Sequence, residues 1–245
     1  MTGDISEGRQ FLKSNWSGLE GVRSDQIQGV AVPDIQKPVP EGSEIFDLIK
    51  PDDLPLYERT VHKAIADRES RRKYKGTPIE PEEISFLLWA TQGIRKLAPH
   101  YSRRSVPSAG ARHSLETYIY ADRVTGIPPG LYRYLVLDHQ LCKISDAPDL
   151  APRLDDALHR QRWNSAATFI WTTIPYRMEW RYSFVSHKLI ALDAGHICQN
   201  LYTACEAIEC GTCAIGAYDQ KLLDAVIGVD GVDEFAVYVA PVGKV

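Results

Sequence analysis

The chain reads as an α+β domain, mainly an antiparallel sheet flanked by helices, and three observations lead there. Residues 131–137 and 141–144 are short apolar runs separated by Asp138-His-Gln, the spacing of a hairpin or meander. Residues 187–209 set Ile190, Ala194, Ile197, Leu201, Ala204, Cys205 and Ile208 three or four apart, a sustained helical stripe. At 1.5 Å per residue that helix would run for roughly 35 Å, long enough to cross the domain and to form a dimer spine. Finally, no glycine-rich strand-to-helix turn of the dinucleotide type occurs, which argues against a doubly wound sheet.

The remaining elements follow in order. Residues 1–55 carry Gly18, Gly21, Gly29, Pro33, Pro38, Pro40, Gly42, Pro51 and Pro55, and no period holds for long. They are expected to form an extended arm pinned by Phe11, Trp16, Ile45, Phe46 and Leu48, ahead of one domain at 56–245. From Leu56 a helical pattern begins, with Val61, Ala64 and Ile65 as its apolar face. Pro81, Glu82 and Glu83 suit a helix start, Ile84, Leu87, Leu88 and Thr91 keep its period, and Gly93 ends it. Residues 115–121 alternate Leu, Thr, Ile and Ala against Glu, Tyr and Tyr, as a strand with two unlike faces does. A modest helix at 148–160, a β-rich strand at 166–174, a short helix at 220–227 and a last strand at 234–240 complete the reading.

Composition excludes several classes. A net charge of -4, with no basic run interleaved with aromatics, gives no reason to expect nucleic acid. No apolar run approaches the roughly 20 residues that span a bilayer, and residues 1–9 lack the regions of a signal peptide, so a cytoplasmic protein is expected. Five cysteines in a long chain do not suggest a secreted disulfide framework. Cys210-Gly-Thr-Cys213 has the spacing of redox and metal pairs, but it reads better as small residues at a helix end. Cys198 and Cys205 fall on the core stripe, and Asp193, His196 and Asn200 suit a hydrogen-bonding ladder better than a metal site.

Two segments carry the chemistry. Arg68, Ser70 and Arg72 stand two residues apart just after a helix and offer forked donors and a hydroxyl to a phosphate and a sugar chain. Alone, such a cluster is usually a solvated charge run. The second segment, 102–114, combines the doubled Arg103-Arg104 with Pro107, Ser108, Ala109 and Gly110, a loop nearly bare of side chains that could approach something flat or anionic. His113 and His187 could face either a cofactor or a substrate.

With Asp193-Ala-Gly-His-Ile-Cys-Gln-Asn-Leu on the long helix and Ile215-Gly-Ala-Tyr-Asp after it, these blocks resemble, in order, the nitroreductase-like FMN flavoproteins. The chain is most similar to the SagB-type (azoline dehydrogenase) branch of that superfamily, over roughly residues 60–245. The resemblance implies a nitroreductase-like α+β fold, FMN as cofactor, NAD(P)H as co-substrate, and ping-pong hydride transfer through flavin N5. It implies a homodimer in which the Pro107–Gly110 loop reaches a flavin held by the other copy's Arg68, Ser70 and Arg72. Ile215 and Gly216 would offer a backbone donor to N5, and Lys244 would lie near the phosphate. The branch usually shows Lys-Tyr, proposed to assist azoline oxidation, where this chain has Arg181-Tyr182. Arginine stays protonated and is a poor base, so Tyr182 is left as proton donor or substrate clamp. The substrate implied is a small electrophile. The alternatives are a peptide thiazoline or oxazoline oxidised beside a cyclase, or a non-catalytic flavin-binding or scaffold subunit.

Overall fold

The computed structural model describes residues 4–55 and 58–245. Met1, Thr2, Gly3, Leu56 and Tyr57 lie outside the described residues, so the start of the signal-peptide reading and Leu56 as a helix start are not addressed. In chain order the elements are α1 (Ile5–Leu12), β1 (Ile45–Asp47), α2 (Val61–Asp67), α3 (Pro81–Gln92), β2 (Ile94–Ala98), β3 (Tyr101–Arg104), β4 (Leu115–Ala121) and β5 (Gly130–Leu135). There follow β6 (Gln140–Ser145), α4 (Leu150–Ala157), β7 (Ala167–Thr173), α5 (Tyr176–Tyr182), α6 (Ser186–Ala207), β8 (Cys210–Thr212), α7 (Gln220–Ile227) and β9 (Phe235–Lys244).

The described residues form an antiparallel sheet in the order β1-β6-β5-β4-β7-β9-β8, with β2 and β3 as a separate hairpin. On one face, Leu115, Ile119, Phe169 and Trp171 pack with Leu87 and Leu88 of α3 and Ala194, Ile197 and Leu201 of α6. On the other, Tyr118, Tyr120 and Ile170 pack with Leu150 and Leu154 of α4 and Leu223 and Ile227 of α7. Both faces are covered, so every residue of β4 is buried, polar ones included.

Several elements differ from the sequence reading. β9 runs on to Lys244 through Pro241, pairing with β7 and then with β8. A proline usually ends a strand because it lacks the ladder donor. Here its carbonyl is engaged, accepting from the Tyr74 and Thr212 hydroxyls at 3.1 and 2.9 Å. Ser102, Arg103 and Arg104 are not loop but strand β3, and Arg104 is buried, donating to Gln92 at 2.9 Å and to the Ile35 carbonyl at 3.2 Å. Helix α2 exists, but its expected apolar face points outward: Val61 and Ile65 are 69% and 61% exposed, and Ala64 is its buried residue.

The N-terminal segment contains helix α1 and an edge strand, β1, which belongs to the main sheet. What holds its middle is polar. Lys37 donates its backbone N–H to Glu116 at 3.1 Å, and its ammonium pairs with Glu234. Arg133 donates to the Pro38 carbonyl at 2.7 Å, and Glu234 also accepts from Thr172 at 2.6 Å and Tyr118 at 3.1 Å. Beside them Glu116 and Arg177, both buried, form an ion pair at 2.7 Å.

Removing one member of a buried pair leaves an uncompensated charge. Glu116→Ala should therefore cost roughly 3–5 kcal/mol in urea denaturation. Glu116→Leu with Arg177→Met should recover most of that loss. A Glu116→Ala protein as stable as the wild type would show that the pair carries no such weight.

Candidate active site

The first group of site residues is laid along the β8–β9 edge. Ser70 bridges Thr212, and the Arg71 N–H donates to the Thr212 carbonyl at 2.9 Å. Four residues on, Lys75 N–H donates to the Lys244 carbonyl at 2.9 Å. Two cross-strand partners, Gly211 and Gly243, make this docking possible. A Cβ on Gly211 would lie 2.5 Å from Arg71 Cγ, and one on Gly243 would lie 2.9 Å from Tyr74 Cγ, so residues 71–74 rest on bare backbone.

Tyr202 of α6 ties this edge together. Its hydroxyl meets Ser70 Oγ at 3.0 Å and accepts from the Ala214 N–H at 2.8 Å, while Arg68 lies 5.4 Å over its ring. Sequence reasoning missed Tyr202 because it followed the apolar stripe; a tyrosine beside Leu201 looks like more core. Arg72 lies over Trp163 at 5.7 Å. Neither Arg68 nor Arg72 has a carboxylate at ion-pair distance among the described residues, whereas Arg71 pairs with Glu69 at 2.8 Å. A surface groove of about 570 Å³ runs along Glu69, Arg71, Arg72, Tyr74 and Val245.

The turn after β8 is anchored by Ile215, whose N–H donates to the Val239 carbonyl at 2.7 Å. Of the expected pair, then, Gly216 keeps a backbone N–H with no backbone acceptor among the described residues, and a Cβ there would meet nothing within 4 Å. Lys244 sends its ammonium inward to Glu83 and to the Ile208 carbonyl at 3.0 Å. Burial alone would make that amine easier to deprotonate, but Glu83, Cys210 and Glu209 together outweigh it and its pKa is raised.

The second group sits near the other end of α6. Pro107 is exposed, and Ser108 accepts from the His113 N–H at 2.9 Å. Asp193 accepts from the Ala109 N–H at 3.3 Å. Burial raises the Asp193 carboxyl pKa, partly offset by the Ser108 hydroxyl and the Ala109 N–H. Gly110 has φ of 57°, the left-handed region glycine favours, and a Cβ there would lie 2.5 Å from Tyr182 Oη and 3.0 Å from Arg181. The bare loop, Arg181 and Tyr182 are thus neighbours within one chain. Asp193 and Tyr202 are nine residues apart on α6, about 14 Å along its axis, so the two groups stand well separated.

Other candidates fall away from the site. His113 is buried, with Nε2 at 3.1 Å from the Ser102 carbonyl, and burial, helped by Arg104, pushes its pKa down to about 3. His187 is exposed against Glu179 at 2.8 Å. Asn200 donates to the Ala90 carbonyl at 2.8 Å, apart from Asp193, so the expected ladder is two separate contacts. All five cysteines are free and buried, burial pushes the Cys210 thiol up to about 12, and no metal-holding group occurs among the described residues.

A sheet covered on both faces by helices, with a guanidinium-rich segment along one edge and a bare loop near the far end of α6, is an α+β scaffold with two polar places on it. Residues 65–244 match the Nitroreductase family, and the chain belongs to it. The Methanocaldococcus jannaschii protein MJ1384, which bears the name nitroreductase, is 26% identical over 192 residues, covering 77% of this chain and 93% of its own. The trifolitoxin-processing protein TfxB of Rhizobium leguminosarum bv. trifolii is 31% identical over 134 residues, 52% of this chain, which spans 36% of TfxB. A Ralstonia eutropha JMP134 nitroreductase structure superposes with a TM-score of 0.68 at 22% identity, covering 87% of this chain and 96% of that one. A chain of the E. coli microcin synthetase McbBCD complex gives 0.61 at 16% identity over 99% and 98%. A Desulfovibrio desulfuricans nitroreductase solved with FMN gives 0.51 at 16% identity over 76% and 87%. These structures share the fold. No helix among the described residues is long and apolar enough to cross a membrane.

Two predictions follow from the local geometry. Tyr202→Phe keeps the ring under Arg68 but removes the hydroxyl, at a cost of about 1–2 kcal/mol. The Ala214 amide should then exchange hydrogen faster, and unchanged exchange would remove Tyr202 as the tie. His113 takes up a proton near pH 6.5 when unfolded but only near 3 when folded. The unfolded chain thus binds more protons between those limits, and stability falls as pH drops below 6.5, by up to about 1.4 kcal/mol per pH unit. In urea titrations at pH 7 and 5, His113→Gln should lose about 2 kcal/mol less than the wild type over that interval; equal losses would refute the assignment.

Proposed function

We propose that the chain is an FMN-dependent oxidoreductase that passes hydride, in ping-pong fashion, to or from a small substrate, with NAD(P)H as donor. The observation that carries this reading is the edge at Arg68, Ser70 and Arg72: among the described residues, two guanidinia with no carboxylate at ion-pair distance flank a hydroxyl, near a turn whose Gly216 N–H meets no backbone acceptor. That donor set fits the phosphate and sugar chain of FMN, and the Gly216 N–H fits a ring nitrogen. When bound, FMN supplies reversible hydride acceptance at N5.

In this reading Arg68 and Arg72 hold the phosphate, and Ser70, oriented by Tyr202, meets the ribityl chain. Ser108, Ala109 and Gly110 exclude water along the ring without side-chain obstruction. Arginine is a poor base in general, so in this reading the Tyr182 hydroxyl beside Gly110 is the group that holds a proton at the substrate. Because one copy separates the two groups along α6, we assign the loop to the flavin of a second copy, which makes the active unit a homodimer. Peptide azoline oxidation beside a cyclase is the second reading, favoured by the similarity to a trifolitoxin-processing protein and weakened by arginine at 181.

Each charge-assisted contact to the phosphate should contribute about 1.5–3 kcal/mol. Arg68→Ala with Arg72→Ala should therefore yield nearly colourless protein, as measured by the flavin-to-protein absorbance ratio. Full flavin retention in a folded double variant would refute the phosphate assignment.

A further inference from the structure

Around Gly110 there is a second concentration of positive charge that binding FMN at the β8–β9 edge does not use. Arg112 donates from Nε to the Gly110 carbonyl at 3.3 Å and from Nη2 to the His100 carbonyl at 2.6 Å. Its guanidinium lies 5.2 Å over the Trp180 ring, and that of Arg181 lies 5.4 Å over the Tyr182 ring. Neither has a carboxylate at ion-pair distance among the described residues, unlike Arg59, Arg71, Arg123, Arg153, Arg162 and Arg177. Burial and then the Arg181 charge make Arg112 easier to deprotonate, the Tyr182 hydroxyl partly offsets them, and no carboxylate contributes. Two cations therefore bracket one bare glycine, with no carboxylate at ion-pair distance among the described residues.

The N-terminal segment supplies the apolar wall of the same place. It is clipped to α5 by Gln26 N–H donating to the Trp180 carbonyl at 2.9 Å, Trp180 Nε1 donating to the Val30 carbonyl at 2.9 Å, and Tyr176 Oη donating to Asp25 at 2.7 Å. This clip brings Trp16 edge-on to Tyr182, with ring centroids 5.6 Å apart and planes at 83°. Trp16 remains half exposed. A planar ring could lie beside these two aromatics while an anionic group on it reaches the arginines.

We infer that Arg112 and Arg181, walled by Trp16 and Tyr182, recognise the carboxylate of a planar aromatic substrate. That the substrate is an electron acceptor rests on the oxidoreductase reading above; its recognition at this place does not. Arginine at 181 is then a recognition group rather than a base, which suits a permanent cation able to bind a carboxylate in two-pronged fashion.

Equilibrium dialysis of the full-length protein tests this with 4-nitrobenzoate and its neutral analogue 4-nitrotoluene. The carboxylate should bind about tenfold more tightly, as a charge-assisted pair implies. Arg112→Gln with Arg181→Gln should erase the preference, Arg181→Lys should keep part of it, and Trp16→Ala should weaken both ligands alike. Circular dichroism checks that each variant is folded. Equal binding of the two ligands by the wild type, or an intact preference in the double variant, overturns the inference. So does displacement of 4-nitrobenzoate by equimolar inorganic phosphate or NADP+, which would reassign the arginines to a phosphate. Flavin absorbance is read on every sample. A colourless protein that prefers the carboxylate defeats the flavin reading and keeps this site; a yellow protein without preference does the reverse.

Discussion

The packing of α6 against the sheet is the constraint on which the rest of the molecule depends. Ile190, Ala194, Ile197, Leu201, Ala204 and Cys205 are all buried along it, and the larger of these side chains contribute about 1.5–3 kcal/mol each on burial. A helix seated that firmly is a ruler. It sets Asp193 under the bare loop and Tyr202 under the arginine edge, and it prevents either end from drifting toward the other. The separation of the two groups is thus a property of the core, and it is the physical reason a second copy is called for in the functional reading.

The N-terminal segment depends on a different kind of force. Its middle is held by charges on β4, β5 and α5 whose desolvation would be expensive if the segment were absent. Glu116 answers Arg177 and the Lys37 N–H, Glu234 answers the Lys37 ammonium and two hydroxyls, and Arg133 needs the Pro38 carbonyl. α4 and α7 cover one part of that sheet face with apolar side chains, and Lys37 and Pro38 meet another part with polar partners. Trp16 then reaches Tyr182 because the chain between is clipped to α5.

Much of the fold was legible because it obeys local periodicity. The limits of β4 and α7 coincide with the reading, and α3 and α6 agree within one or two residues. Elements decided by tertiary contact were not legible. β8 is three residues with a central glycine, β9 continues through a proline whose carbonyl rather than its nitrogen is used, and α1 has no buried residue to mark a stripe. At the site, Arg68, Ser70, Arg72 and Gly110 announced themselves by residue type. Tyr202 did not, nor did Gly211 and Gly243, whose partnership exists only once β8 and β9 are paired. Ile215 was readable as part of a turn, but that its N–H is spent on Val239 depends on a strand far along the chain.

The two halves of the site differ in how they are built, and that difference bears on what each can do. The arginine edge is secured by backbone hydrogen bonds to β8 and β9, which hold geometry well. The bare loop is secured by one carboxylate contact, one serine and a glycine in the left-handed region, and its walls are exposed side chains from α5 and the N-terminal segment. Rigid backbone suits a cofactor that stays bound through many turnovers. A wall of exposed rings and arginines suits a ligand that enters and leaves, since few buried contacts must break when it does. In the proposed function, cofactor retention and substrate choice therefore depend on different residues: the first on the edge at 68–75, the second on 16, 112, 181 and 182.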